Sequence, residues 1–304
     1  MHLRLTLTFA FLCLSAAASA QAADCKSTVN GDLRIQPLTS RIFNNTRSIR
    51  VLLPPGYDAP ENRFKRYPVL YLLDGQNLFD ACLSDVSHAE WQVDETVYRL
   101  IREKAIPEMI VVGIDHMGVK RAHEFLPYRD TFGNPDMEEP VGKRFPDFLA
   151  AEVLPFVDKE YRTLAGHDNT GIGGSSYGGV ATLYALMARP QTFGYGLMES
   201  PTIWVGMGQL IRDTSPLVAY PRKVFMGLGA AELGEGENRE KGLALFDRVV
   251  ANFRAAGYDE SSFRYVLEQD AKHTESAWAK RLPDALKFLF GDWKPQPETN
   301  DAGN

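Results

Sequence analysis

Apolar positions in this chain fall into two patterns, short unbroken runs and longer stretches in which they recur every three or four residues. The runs predict strands at Leu33–Leu38, Ser48–Leu53, Val69–Leu73, Met109–Ile114, Asn169–Gly173, Tyr195–Met198, Val224–Leu228 and Phe263–Leu267. The recurring pattern predicts helices at Trp91–Glu103, Phe145–Tyr161, Val180–Ala188, Lys241–Ala256 and Trp278–Phe290. Met109-Ile110-Val111-Val112-Gly113-Ile114 is apolar throughout, without the alternation of a half-exposed strand. Burial on both faces of a mainly parallel sheet has that signature. Only a short connection separates the first two strands, so they are expected to form an antiparallel N-terminal edge. The expectation is an α/β chain with helices on both faces of one sheet.

Composition narrows this picture. The chain has 304 residues, and Asp plus Glu (39) exceed Lys plus Arg (33), giving a net charge of −6 with no basic run. Nucleic acid is therefore not an expected partner. His2 and Arg4 precede the apolar run Leu5 to Leu14 and the small-residue exit Ala16 to Ala20, the layout of a secretory signal over residues 1–22. That run is too short to span a bilayer, and no stable membrane insertion is expected. Cys25 invites comparison with a lipidation site, but the preceding Asp24 is unsuited to one. Removing the signal leaves Cys25 and Cys82, which an oxidising compartment would allow to pair or to remain two thiols. No repeat, low-complexity block or linker divides residues 23–293, and the polar stretch 294–304, with Pro295 and Pro297, reads as a disordered tail.

Candidate chemistry centres on Gly174-Ser175-Ser176-Tyr177-Gly178, placed between a strand and a helix. This is a G-x-S-x-G turn, and only Ser176 has glycine at both minus two and plus two. Strand, turn and helix in this order give the layout of an α/β-hydrolase. A serine hydroxyl needs a base, and the order Ser, acid, His directs attention past the last strand, to His273. Glu232 is the first carboxylate after strand Val224–Leu228, with Glu235 and Glu237 as open alternatives. Oxyanion donors are expected from the backbone N–H groups of Tyr177 and of Gln76, in the loop after Val69–Leu73. No cofactor is called for, and the histidines lack metal-binding spacing.

Five segments together carry a family resemblance: the run Tyr67 to Phe79, Arg121 to Pro127, the serine turn, Glu199-Ser200-Pro201, and His273 to Trp278. With them the chain resembles the esterase family of α/β-hydrolases that includes siderophore, feruloyl and acetylxylan esterases, S-formylglutathione hydrolase and mycolyltransferases. The resemblance implies a Ser176–His273–Glu232 triad and an oxyanion hole at Gln76 and Tyr177, though Tyr177 stands where many relatives have methionine. It also implies a small-molecule ester substrate. Two substrate readings follow: the ester backbone of a catecholate siderophore such as ferric enterobactin, cleaved in the periplasm to release iron, or feruloyl or acetyl groups on plant polysaccharide. A polyanionic iron complex would need cations at the mouth, so Arg121 and Arg129 are named as ligand contacts, with Trp91 and Trp204 as aromatic walls. The non-enzymatic alternative is a ligand-binding protein on an inactive hydrolase scaffold. Acyl transfer in place of hydrolysis is a further possibility for the same acyl-serine.

Overall fold

The computed structural model describes residues 25–85, 88–215 and 221–295. The expected leader and residues 296–304 of the expected tail lie outside them. Eight strands form one sheet: β1 Asp32–Ser40, β2 Asn45–Leu53, β3 Val69–Leu73, β4 Ile110–Ile114, β5 Thr170–Ser175, β6 Tyr195–Glu199, β7 Lys223–Gly229 and β8 Phe263–Glu268. Their spatial order is β1-β2-β4-β3-β5-β6-β7-β8. β1 pairs antiparallel with β2, and β2 antiparallel with β4, while every pairing from β4 through β8 is parallel. The antiparallel edge and parallel body are those the apolar runs predict.

The helices are α1 Val93–Arg102, α2 Arg121–Phe125, α3 Phe145–Phe148, α4 Leu154–Glu160, α5 Tyr177–Ala188, α6 Gln209–Asp213, α7 Gly236–Ala255 and α8 Glu275–Phe290, with a π-helical turn, Leu149–Val153, joining α3 to α4. Each central strand feeds two cores. Val69, Tyr71 and Leu73 of β3 pack with Phe148, Leu183 and Val249, while Leu70 and Leu72 pack on the opposite face with Val97, Leu100 and Leu286. α1 buries Val93, Thr96, Val97 and Leu100, one stripe at helical spacing.

Three helices start earlier than their apolar periods predict, among them α8, which begins at Glu275 directly after Thr274. Gly236-Glu237-Asn238-Arg239-Glu240 opens α7 without an apolar position to reveal its phase, and α5 begins at Tyr177. α2 and α6, five residues each, are too short to show a period. The topology positions the site. From β3 the chain passes to β4 on one side, then crosses back to β5 on the other, and diverging connections open a crevice at the carboxyl ends of neighbouring parallel strands.

Candidate active site

Ser176 stands in that crevice between β5 and α5, with φ 55° and ψ −122°, a conformation that a side chain other than glycine adopts only under strain. The flanking glycines are dictated by contact. A Cβ on Gly174 would come 2.8 Å from the carbonyl carbon of Gly178. The Ser176 N–H donates to the Glu199 carbonyl at 2.9 Å, and its carbonyl accepts from Val180 N at 3.2 Å. Tyr177 is the first residue of α5, where backbone N–H groups have no acceptor within the helix. Its hydroxyl donates to buried Asp130 at 2.6 Å. Burial, and then the Asp130 carboxylate, raise that hydroxyl's pKa, so the side chain is a neutral anchor for the 130–133 loop.

His273 lies between β8 and α8, and Thr274 caps the helix, its hydroxyl accepting from Ala277 N. The imidazole meets Trp278 edge to face at 5.1 Å. Its Nδ1 lies 2.9 Å from Oε2 of Glu232, whose side chain is only 5% exposed. Glu232 sits in the tight turn Ala230–Leu233 directly after β7, whereas Glu235 and Glu237 are exposed. A carboxylate on Nδ1 fixes the tautomer that leaves Nε2 free to accept a proton. Ser176 and His273 line one cavity of about 230 Å³. Among the described residues no hydrogen bond joins them, and such bonds commonly tighten only when substrate is bound.

The other wall of the cavity comes from the loop after β3. Asp74 has φ 60°, and Gly75–Asn77 forms one tight turn. The Gln76 amide is held at both ends, donating to Asp85 at 3.0 Å and accepting from His116 N at 3.2 Å. The structure also shows how the proposed ligand contacts are disposed. Arg121 lines the cavity, but Asp74 holds it through two bonds of 2.6 and 2.8 Å. Burial pulls the guanidinium pKa down, and the Asp74 charge more than offsets this, so it is raised. It is not a free cation. Arg129 donates to the carbonyls of Pro135 and Met137, both at 3.1 Å, and does not line this cavity. Trp91 does, 5.7 Å from Trp278. Trp204 lines a separate hollow together with Glu232.

Sequence reasoning missed Asp74, Asn77, His116, Glu275 and Trp278, all of which line the cavity. His116 precedes the serine in the chain and so falls outside the order Ser, acid, His. It follows β4, the neighbour of β3 in the sheet, and sheet order would have retained it. His116 Nδ1 accepts from Gly118 N at 2.9 Å and Nε2 lies 3.2 Å from Asp85 Oδ2. Burial lowers the His116 pKa and raises that of Glu275. Cys25 and Cys82 form a disulfide, and the Ser27–Asp80 and Thr28–Glu90 bonds, at 2.7 and 2.6 Å, also fasten the N-terminal arm to the segment leading to Trp91. Among the described residues, no helix is long and apolar enough to cross a membrane, and no cluster of three His, Cys, Asp or Glu side chains is placed to hold a metal ion.

Residues 40–220 match the protein-family model described as "Putative esterase". The chain is 26% identical over 267 residues to the endo-1,4-beta-xylanase/feruloyl esterase of Xylanibacter ruminicola, covering 87% of this chain and 32% of that protein. It is 27% identical over 169 residues to the iron(III) enterobactin esterase of Dickeya dadantii, covering 50% of this chain and 35% of that one. It thus spans about a third of either relative's length. Among solved structures, an IroE-like serine hydrolase from Shewanella oneidensis shares the fold, with a TM-score of 0.66 at 22% identity over 87% of this chain and 82% of that one.

Proposed function

The chain belongs to this esterase family and is an esterase, and we propose that it cleaves carboxylic esters through an acyl-Ser176 intermediate. The observation that carries the reading is the 2.9 Å bond between His273 and buried Glu232, on an imidazole that shares a cavity with strained Ser176. In this scheme Ser176 Oγ attacks the ester carbonyl carbon while His273 Nε2 takes the hydroxyl proton. The Glu232 carboxylate stabilises the imidazolium that forms. Backbone N–H groups of Gln76 and Tyr177 receive the developing oxyanion. Collapse breaks the bond to the alcohol, which leaves with the proton from His273, and water repeats the sequence to release the acid. A fluorophosphonate probe should modify Ser176, and adduct mapped by mass spectrometry to another residue would refute the assignment.

For the substrate we propose the ester backbone of a catecholate siderophore, hydrolysed in the periplasm after export by the 1–22 leader. Support comes from the enterobactin esterase relative and from the Trp91–Trp278 wall, which suits a flat aromatic group. A second reading, hydrolysis of feruloyl esters, draws on the feruloyl esterase relative and on the pairing of Arg121 with Asp74. That pairing withholds a cation from a polyanionic iron complex and favours a neutral ester. Side-by-side rates on ferric enterobactin, iron-free enterobactin, methyl ferulate and acetylated xylan decide between them. Faster turnover of methyl ferulate than of either enterobactin form would overturn the siderophore proposal. Export predicts a mature N-terminus near Gln21 or Ala23 in the periplasmic fraction, and an unprocessed chain in the cytoplasm would contradict it.

A further inference from the structure

A second hollow, about 780 Å³, adjoins the first across the His273–Glu232 pair. His273 lines the small cavity and Glu232 the large one, so their bond spans the partition. A second link runs from Tyr177, next to Ser176, through its hydroxyl bond to Asp130, whose other oxygen accepts the N–H of Gly133 on the groove wall. The groove therefore lies across a hydrogen-bonded wall from the cavity that holds the reacting serine.

One wall is a face of α7. Asn238, Gly242, Leu245 and Arg248 follow at spacings of four, three and three, which align on one side of a helix over roughly 15 Å. Asn238 lies at the Glu232 end and Arg248 at the other. Opposite stand Trp204, Phe132 and Met207, the last two 70% and 71% exposed. Apolar side chains gathered on one groove, unlike singly exposed ones such as Phe64 or Val119, mark a contact surface. Arg212 and Arg248 also line an adjoining hollow beyond this end. Arg212 bonds to Gln209 Oε1 and the Met207 carbonyl, neither of them charged, and Arg248 has no hydrogen bond or ion pair among the described residues. In a chain of net charge −6, two guanidinium groups without a carboxylate partner close an apolar channel at the end remote from Glu232.

We propose that the groove binds one arm of the ester substrate, an apolar stem that ends in an anion, with Arg212 and Arg248 receiving the charge. The proposal rests on the Ser176 esterase reading and adds a substrate class to it. The terminal group can be a carboxylate, phosphate or sulfate, since a guanidinium pairs with the planar oxygens of each. An anion placed nearer the serine would meet the Glu232 carboxylate. The geometry thus sets the polarity of the arm as well as its composition.

Two ester pairs test this in the full-length mature protein. p-Nitrophenyl octanoate against the mono-p-nitrophenyl ester of octanedioic acid probes an acyl arm. Octyl acetate against 8-acetoxyoctanoate probes an alcohol arm, and p-nitrophenyl acetate, which has no arm, gives the reference rate for each protein. In one pair the anionic ester should be favoured by about 10-fold in kcat/KM, mostly through KM, and the Arg212→Gln/Arg248→Gln double variant should bring that ratio close to one. Equal rates within both pairs, or a preference that survives the double variant, would overturn the groove assignment. Failure of the wild-type protein to hydrolyse p-nitrophenyl acetate would instead overturn the Ser176 mechanism.

Discussion

The two hollows that meet at the His273–Glu232 bond differ in how their charges are used. In the small cavity Arg121 is tied to Asp74, His116 to Asp85, and the Gln76 amide is held at both ends. In the large groove Phe132 and Met207 face water and two arginines lack a carboxylate partner among the described residues. Groups already bonded to one another are held in place before substrate arrives, which favours charge stabilisation during reaction. Guanidinium groups without a carboxylate partner are available to an anionic ligand. Under the proposed scheme bond breaking belongs to the small cavity and choice of the substrate's arm to the groove.

The strongest way to break that division is to disable the chemistry. Ser176→Ala and His273→Ala should each lower kcat by roughly 10⁴–10⁶-fold on every ester tried, measured as burst-free steady-state rates. Trp204→Ala in the groove should cost less than about 10-fold, and only on esters with a long arm. A uniform loss from Trp204→Ala, or a Ser176→Ala protein with substantial turnover, would erase the distinction. Next in size is the acid. Glu232→Ala should cost roughly 10³–10⁴-fold in kcat, whereas Glu235→Ala, at an exposed position past the turn, should stay within about twofold. The reverse ranking would relocate the acid and remove the link between the hollows.

Why the sequence revealed one hollow and not the other has a physical basis. Ser176 and His273 could be placed because a strand-to-helix reversal needs glycines at fixed offsets and because chain order in this architecture places the base after the last strand. Glu232 could be ranked above Glu235 only by its position next to β7, and the bond to His273 supplies the missing contact. The sheet was legible because strands buried on both faces are apolar throughout. Arg121 was named as a ligand contact and Trp204 as an aromatic wall, yet sequence carries no sign that Asp74 neutralises the first or that the second faces another hollow. His116 and Asp74 depend on β3 and β4 being neighbours, a long-range pairing. The groove needs α7 to begin at Gly236, in a polar stretch without a period, and two arginines 36 residues apart to converge.

A smaller effect sharpens the comparison at Glu275, whose buried carboxyl lines the small cavity with no side-chain partner among the described residues. Burial raises its pKa above the ordinary 4.5, the Asp74 charge adds to this, and His273 and Arg121 oppose it. A carboxyl with a raised folded-state pKa keeps a proton that the unfolded chain has released. Its contribution to stability is therefore present below the ordinary carboxyl range and is lost as pH rises through the folded value. Glu275→Gln carries no titrating group, so its melting temperature relative to wild type should increase between pH 4 and pH 8. Each kcal/mol of such a gain moves the melting temperature by roughly 2–4 °C in a chain of this size. The anionic-to-neutral ester ratio set by the groove should not move, because Glu275 has no part in that surface. A difference in melting temperature that shrinks toward pH 8 would mean that His273 and Arg121 outweigh burial. Glu275 would then join the paired charges of the small cavity.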